Sequence, residues 1–191
     1  METIKNKYQG QVCYIVGKGT SSQYLTKEHF GEGVIIALNN AIVKVESLNL
    51  PNDTYSQQKD GHGYGVKVCP CIDNKENMKI CFMCYPQRAT LLIHELEGND
   101  CMKDYPKRIV FNNNELGLHW SRVSVITAMR IAEWMGCTYL KLLCFDSVTQ
   151  GDSNYYIHGE GIASGPNYMI QVENTLNMAR KYNHEFITPH P

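Results

Sequence analysis

No stretch of the 191 residues approaches the roughly 18 consecutive apolar positions that a membrane span requires, and the opening "METIKNKYQG" lacks the apolar core of a signal peptide. The chain also lacks an excess of either charge. Eighteen Lys and Arg stand against nineteen Asp and Glu, the net charge is −1, and no run of like charges occurs. Unspecific binding to nucleic acid or acidic lipid has no electrostatic support in such a composition. Internal repeats and low-complexity tracts are absent too. These absences predict a soluble, cytoplasmic protein whose partner is a small molecule, not a nucleic acid. With 43% apolar residues, the chain can bury one sizeable core, so a single domain is expected, its segment 66–110 the least regular.

Eight cysteines are present, several in apolar runs such as "YLKLLCF", which favours buried free thiols over a disulfide framework. Cys69, Cys71, Cys81 and Cys84 form a C-x-C…C-x-x-C series with the donor chemistry of a zinc site. However, "KICFMC" reads as a strand, which would send Cys81 and Cys84 to opposite faces. Zinc is therefore the less favoured reading.

The first strand is predicted over Val12–Val16, an apolar, β-branched run suited to a parallel strand covered on both faces. Gly17-Lys18-Gly19 then turns the chain, and Thr20, Ser21 or Ser22 can cap a short helix running toward His29. A second buried strand, Val34–Leu38, meets Asn39-Asn40 and a helix from Ala41 to Leu48. "TYSQQKDG" reads as a shorter strand ending at Asp60-Gly61. "VKVCPC", "MKICFMCYP", "TLLIHELE" and "KRIVFNN" are further strand candidates. "SRVSVITAMRIAEWMG" puts Val125, Ala128, Met129, Ala132 and Met135 on one helical face and stops at Gly136. A strand from Tyr139 to Phe145 ends at Asp146; a helix over "NYMIQVENTLNMARKYN" and a short strand at "EFIT" complete the chain.

Alternating strands and helices of these lengths predict an α/β, Rossmann-like, doubly wound sheet, mostly parallel, with helices on both faces. Ligands of such sheets bind beyond the carboxyl ends of the strands, where the strand order reverses. That rule marks Gly17–Ser22, Asn39-Asn40, Asp60–Gly65 and Asp146–His158 as the functional rim. Gly17 and Gly19 would let the backbone approach a phosphate, with Lys18, Ser21 and Ser22 as further donors. The same residues also suit a plain turn, since the third glycine of a dinucleotide fingerprint and the Gly-Lys-Ser/Thr of a Walker loop are missing. Asn39 is either a ligand contact or a helix cap. Asp146 either faces a sugar hydroxyl, a metal or a reacting group, or caps the turn that follows. Ser153, Tyr155, Tyr156 and His158 lie in the polar loop after it. His62, His119 and His158 are the acid–base candidates, and His94, inside "LLIHEL", reads as structural.

"CYIVGKGTSS" resembles the opening "viIaGnGpSl" strand and loop of the bacterial sialyltransferases that include the Campylobacter enzymes. It is similar as well to the related DUF115 proteins, among them 6-hydroxymethyldihydropterin diphosphokinases. "VIIALNNAI" is similar to their second strand, which ends in Asn, and "LPNDTYSQQKDG" to a strand ending in Asp. "SVITAMRIAEWMGCTYLKLLCFDSVTQGDSNYY" follows their "SG…A…A..LGy..IyL.GiDf…G.S.Y" segment without gaps as far as Gly151. The resemblance covers about half the chain, at both ends, and implies a transferase of nucleotide or nucleotide-sugar specificity. Gly17, Gly19 and Ser21 would then lie by the phosphates, and Asn39, Ser124 and Asp146 would line the nucleotide pocket.

Three positions depart from the pattern. Val125 replaces the glycine of the Ser-Gly pair, and Val148 replaces a tyrosine that supports the departing phosphate. Gly165 or Pro166 falls where the general-base His stands, with His158 the nearest substitute. Two functions follow as expectations. One is glycosyl or diphosphate transfer, with His158 as base, Asp146 and Asn39 orienting the donor, and Lys18 and Tyr155 on the departing phosphate. Diphosphate transfer would also need Mg²⁺, for which Asp60 and Asp146 are the available carboxylates. The other is nucleotide binding or sequestration without catalysis. A zinc-stabilised interaction protein is a third, weaker reading.

Overall fold

Four of the seven strands are built mainly of buried aliphatic side chains, and the hydrogen bonding of all seven sets the architecture. The computed structural model describes residues 1–39, 41–58, 87–95, 105–118, 123–152 and 166–191. Its strands are β1 Val12–Val16, β2 Val34–Leu38, β3 Thr54–Gln58, β4 Thr90–His94, β5 Arg108–Phe111, β6 Tyr139–Leu143 and β7 Asn183–Ile187. They form one sheet in the order β5-β4-β3-β2-β1-β6-β7, with every pairing parallel. The chain winds outward from β1 to β5, then returns to the other side of β1 as β6. Strand order therefore reverses at β1, and the carboxyl ends of β1 and β6 meet at the topological switch point.

Period-two alternation divides the strand side chains between two layers. Cys13, Ile15, Val34, Ile36, Leu140 and Leu142 face helix α2, Ser124–Trp134, and share its core with Ala128, Met129, Ala132 and Met135. On the other face, Tyr14, Val16, Ile35 and Ala37 pack with Ala41, Ile42 and Val45 of helix α1, Ala41–Ser47. Two further helices, α3 Asp146–Thr149 and α4 Pro166–Ala179, connect β6 to β7. The predicted face of α2 is fully buried, and the helix passes through Met135 to Gly136 at φ 86°.

Between β1 and β2 the structure differs from the predicted helix. Two short 3-10 turns, Thr20–Tyr24 and Lys27–His29, stand there instead. Thr26 starts the second with a capping box to His29, leaving too few residues for a cooperative α-helix on either side. Cys13 and Cys144 are buried free thiols and Cys137 a half-buried one, as expected of cysteines in apolar runs. Cys69, Cys71, Cys81 and Cys84 lie outside the described residues. Among those described, no helix is long and apolar enough to cross a membrane.

The first ten residues form a strap that sequence patterning does not reveal. Asn6, Tyr8 and Gly10 donate their backbone N–H groups to the carbonyls of Trp134, Met135 and Gly136, at 2.9 Å each, satisfying the open end of α2. Ile4 and Tyr8 enter the core. Tyr8 Oη donates to Asp53 Oδ2 at 2.6 Å and lies 2.8 Å from Tyr55 Oη, while Lys7 Nζ reaches the same carboxylate at 3.1 Å. The Tyr8 hydrogen bond, and then Lys7, hold the Asp53 carboxyl below its ordinary value. A carboxyl depressed in this way stabilises the fold above its unfolded value of about 3.9, and that contribution is lost as pH falls through the folded value. The Tm gap between the wild type and Asp53→Asn is expected to be open at neutral pH and to close below about pH 4. A gap that stays constant down to about pH 3 in a calorimetric series contradicts this linkage.

Candidate functional site

At the switch point, the loop after β1 is folded onto the end of β6. Gly17 N–H donates to Leu143 O at 2.8 Å and Gly19 N–H to Cys144 O at 3.0 Å. Neither glycine has a positive φ, so backbone conformation is not what requires them. Proximity is. A Cβ on Gly17 would lie 2.7 Å from Cys144 O, and one on Gly19 would lie 2.2 Å from Asp146 Oδ2 and 2.6 Å from Cys144 O. The close approach that the Gly-x-Gly pattern permits is thus to the neighbouring strand end.

Asp146 is the centre of this contact. It is the first residue of α3 and fully buried. Its Oδ1 accepts from Ser21 Oγ at 2.6 Å, and its Oδ2 from Ser21 N at 2.7 Å and from Thr20 Oγ1 at 3.3 Å. Thr20 Oγ1 also lies 2.6 Å from Asp152 Oδ2. Both carboxylate oxygens are therefore engaged by the loop, which they fix against β6. Cys144 makes the geometry possible by adopting φ 62°, a left-handed conformation uncommon for a side chain of its kind. Burial pushes the Cys144 thiol up to about 12, so it is protonated at neutral pH and unsuited to nucleophilic attack.

The remaining expected residues separate into two sets. Lys18 is half-buried in the loop, and Ser22 is buried with its N–H donating to Gly19 O at 3.0 Å. Asn39 follows β2 directly at φ 50°, a region Asn tolerates, and is 2% exposed. Its N–H donates to Gln57 O at 2.9 Å, and its carbonyl accepts from Ile42 N at 3.3 Å and from Gln58 Nε2 at 3.1 Å. Ser124 opens α2 on the same edge, and its carbonyl accepts from Gln57 Nε2 at 3.0 Å. Gly17, Lys18, Gly19, Ser21, Ser22, Asn39, Ser124 and Asp146 all stand at the carboxyl edge. Asn40, Asp60, His62, His119, Ser153, Tyr155, Tyr156 and His158 lie outside the described residues. His94 is a buried residue of β4 packed edge-on against Phe111 at 5.4 Å, in keeping with a structural role.

Gln57 and Gln58 were not among the residues expected at this edge. Both are buried, at 0% and 1% exposure, and both hold site elements in place. The one sequence signal is a pair of amides at the carboxyl end of a strand that the winding order makes internal.

A seven-stranded, all-parallel, doubly wound sheet with a braced loop at its switch point defines an α/β, Rossmann-like protein. The crystal structure of a mammalian sialyltransferase shares this fold. It aligns with 95% of this chain and 70% of its own length, at 11% identity and a TM-score of 0.50. No family model matches the sequence, and no curated protein does. The likeness is one of fold, and it agrees at that level with the sialyltransferase resemblance of the sequence motifs.

Proposed function

We propose that this protein binds a nucleotide or nucleotide-sugar at the switch point and transfers the glycosyl group of that donor. The observation that carries this reading is the loop Gly17–Ser22, fixed by Asp146 where strand order reverses. A loop held rigid before the ligand arrives needs no further ordering on binding; because the N–H groups of Gly17, Gly19, Ser21 and Ser22 and the Ser21 hydroxyl are bonded within the protein, the Ser22 hydroxyl and the Lys18 side chain are the groups it would turn toward a departing phosphate. The sialyltransferase neighbour supports the class of donor. The narrower kinship, with the bacterial sialyltransferases or the DUF115 proteins, rests on the motifs at residues 13–22 and 124–156.

In this reading Gly17, Lys18, Gly19, Ser21 and Ser22 form the phosphate side, with Tyr155 as a further donor. Asn39 and Ser124 line the donor, Ser153 borders it, and His158 serves as base in place of the family histidine. Asp146 acts through Ser21, as the residue that positions the loop. Diphosphate transfer is the less supported route. The Asp146 carboxylate is fully buried, with both oxygens bonded to the loop, which does not fit direct coordination of Mg²⁺. No group of three His, Cys, Asp or Glu residues among those described could hold a metal. Asp60 would have to supply such a site.

A second reading keeps the pocket without the chemistry. Val148 and the absence of a histidine at Gly165 or Pro166 favour it.

The test is a thermal-shift series with CMP, other nucleotides, nucleotide-sugars and pterins, with and without Mg²⁺. A ligand at about 100 times its Kd adds about 2.7 kcal/mol, which raises Tm by roughly 5–10 °C in a domain of this size. No shift with any member removes the proposal. Donor turnover that depends on His158 supports transfer, whereas binding without turnover supports sequestration.

A further inference from the structure

On the outer side of α2, away from the switch point, the N-terminal strap and the turn after β5 leave a cleft of about 450 Å³, within the range of small-molecule sites. Its apolar wall is Trp134, half-buried against the α2 core, with Nε1 donating to Met1 O at 3.3 Å. Lys5 and Asn6 of the strap and Asn114 and Glu115 of the turn, all exposed, line it as well, together with half-buried Arg130. Several of these polar groups are held in advance. Arg130 Nε donates to Leu116 O at 2.8 Å, and Nη1 pairs with Glu133, whose carboxylate also accepts from Tyr182 Oη at 2.7 Å. Glu115 N–H donates to Asn112 Oδ1 at 2.8 Å, and Glu115 Oε2 accepts from Asn112 N–H at 3.4 Å. Gly117, at φ 64°, keeps the guanidinium uncrowded, since a Cβ there would lie 3.0 Å from Arg130 Nη2.

The lining balances two cations, Lys5 and Arg130, against two carboxylates, Glu115 and Glu133, so charge favours neither an anion nor a cation. What remains is a flat apolar wall beside planar amide, carboxylate and guanidinium groups, which between them both donate and accept. That combination matches a pyranose ring, whose C–H face is apolar and whose rim carries hydroxyls able to donate and accept. We propose that this cleft is a saccharide site, distinct from the switch point, that takes a neutral pyranose ring on Trp134 with its hydroxyls on Asn114, Glu115 and Arg130. Lys5 Nζ lies 4.7 Å from the centroid of the Trp134 ring and is paired with Glu2 at 3.4 Å in an exposed contact. Exposed pairs of this kind contribute little, so the sugar displaces the ammonium from the ring face and leaves it at the rim as a further donor. About 15 Å of helix separates Trp134 from Ser124 at the carboxyl edge, so the site neither overlaps the switch point nor rests on the nucleotide reading.

The probes are maltotriose, cellotriose and triacetylchitotriose, titrated against the full chain carrying Trp120→Phe, which leaves Trp134 as its one indole. At least one trisaccharide is expected to shift Trp134 emission saturably, with a Kd of about 1 mM or tighter. Asn114→Ala, at an exposed position, is expected to melt with the parent and to weaken that binding by about three- to tenfold, the loss of a hydrogen bond between neutral groups. No response to any of the three overturns the proposal. So does a trisaccharide that binds by calorimetry without moving Trp134 emission, or that binds Asn114→Ala as tightly as the parent, because it then lies elsewhere. A response to inorganic phosphate or adenosine, with none to a saccharide, reassigns the cleft to an anion or a base and overturns it too. If Trp120→Phe does not fold, calorimetry on the wild type and on Asn114→Ala decides. Binding of CMP, or its failure, bears on the switch point alone.

Discussion

Gly19→Ala is expected to lower Tm by roughly 6–12 °C, a loss of about 3 kcal/mol of stability, and with it the nucleotide binding proposed for the loop. The cost is one of contact alone. Gly19 has φ −58° and ψ 163°, a conformation open to any residue, so alanine meets no backbone penalty. Its Cβ, however, would lie 2.2 Å from Asp146 Oδ2 and 2.6 Å from the Cys144 carbonyl. One of these is a backbone atom at the end of a central strand, and the other is a carboxylate that holds Ser21. Neither moves without breaking the contact that shapes the loop. Gly10→Ala is the informative control. Gly10 has φ 78° with nothing within 4 Å of an added Cβ, so it carries a backbone penalty of about 1 kcal/mol and no clash. If the two variants melt within about 2 °C of each other, the packing account of Gly19 fails.

What was legible in the sequence follows from the range of the interactions involved. Strands β1, β2 and β6 and helix α2 announce themselves because each buries a face set by its own residues, whereas β4 was one of several strand candidates in the middle of the chain. Val34–Leu38 is apolar at every position, and α2 repeats its apolar residues at helical spacing. The alternation of elements implied a doubly wound, mostly parallel sheet, but that its strand order reverses at β1 is set by long-range pairing and emerges only from the structure. Segment 20–29 was misread as helix because its conformation is decided elsewhere. Ser21 is drawn to a carboxylate 125 residues downstream, and no local pattern encodes that. The strap at residues 1–10 and the amides of β3 escaped notice for a related reason. "TYSQQKDG" was read only as a shorter strand, and its polar residues are buried because β3 lies between β2 and β4. The glycines were located correctly, while the partner of their close approach was hidden until Asp146 was seen beneath them.

The role of Asp146 can be separated from that of a reacting group by the order of its variants. Asp146→Ala removes the acceptors of Ser21 N–H and Ser21 Oγ–H at a fully buried position, while Thr20 Oγ1–H keeps its closer acceptor, Asp152 Oδ2 at 2.6 Å. Hydrogen bonds to a charged group contribute about 1.5–3 kcal/mol, and a buried donor left unpaired costs about 1–3 kcal/mol. A loss of about 3 kcal/mol, or roughly 6–12 °C in Tm, is therefore expected for the alanine variant. Asp146→Asn is expected to be milder. Its one carbonyl oxygen can keep the bond from Ser21 N–H, and its NH₂ can donate to Ser21 Oγ, which accepts as readily as it donates. If Asp146 acts by bracing the loop, the asparagine variant retains nucleotide affinity and most turnover, while the alanine variant loses both. If Asp146 transfers a proton or meets the substrate directly, asparagine and alanine abolish turnover alike. Coupling with Gly19 gives a second criterion. The Oδ2 contact of an added Cβ disappears once Asp146 is alanine, so Gly19→Ala should be less harmful by about 1 kcal/mol or more in that background, with the Cys144 carbonyl accounting for what remains. Additive losses in the double variant would mean that Gly19 and Asp146 serve the loop independently. The contact between them would then be incidental to the site.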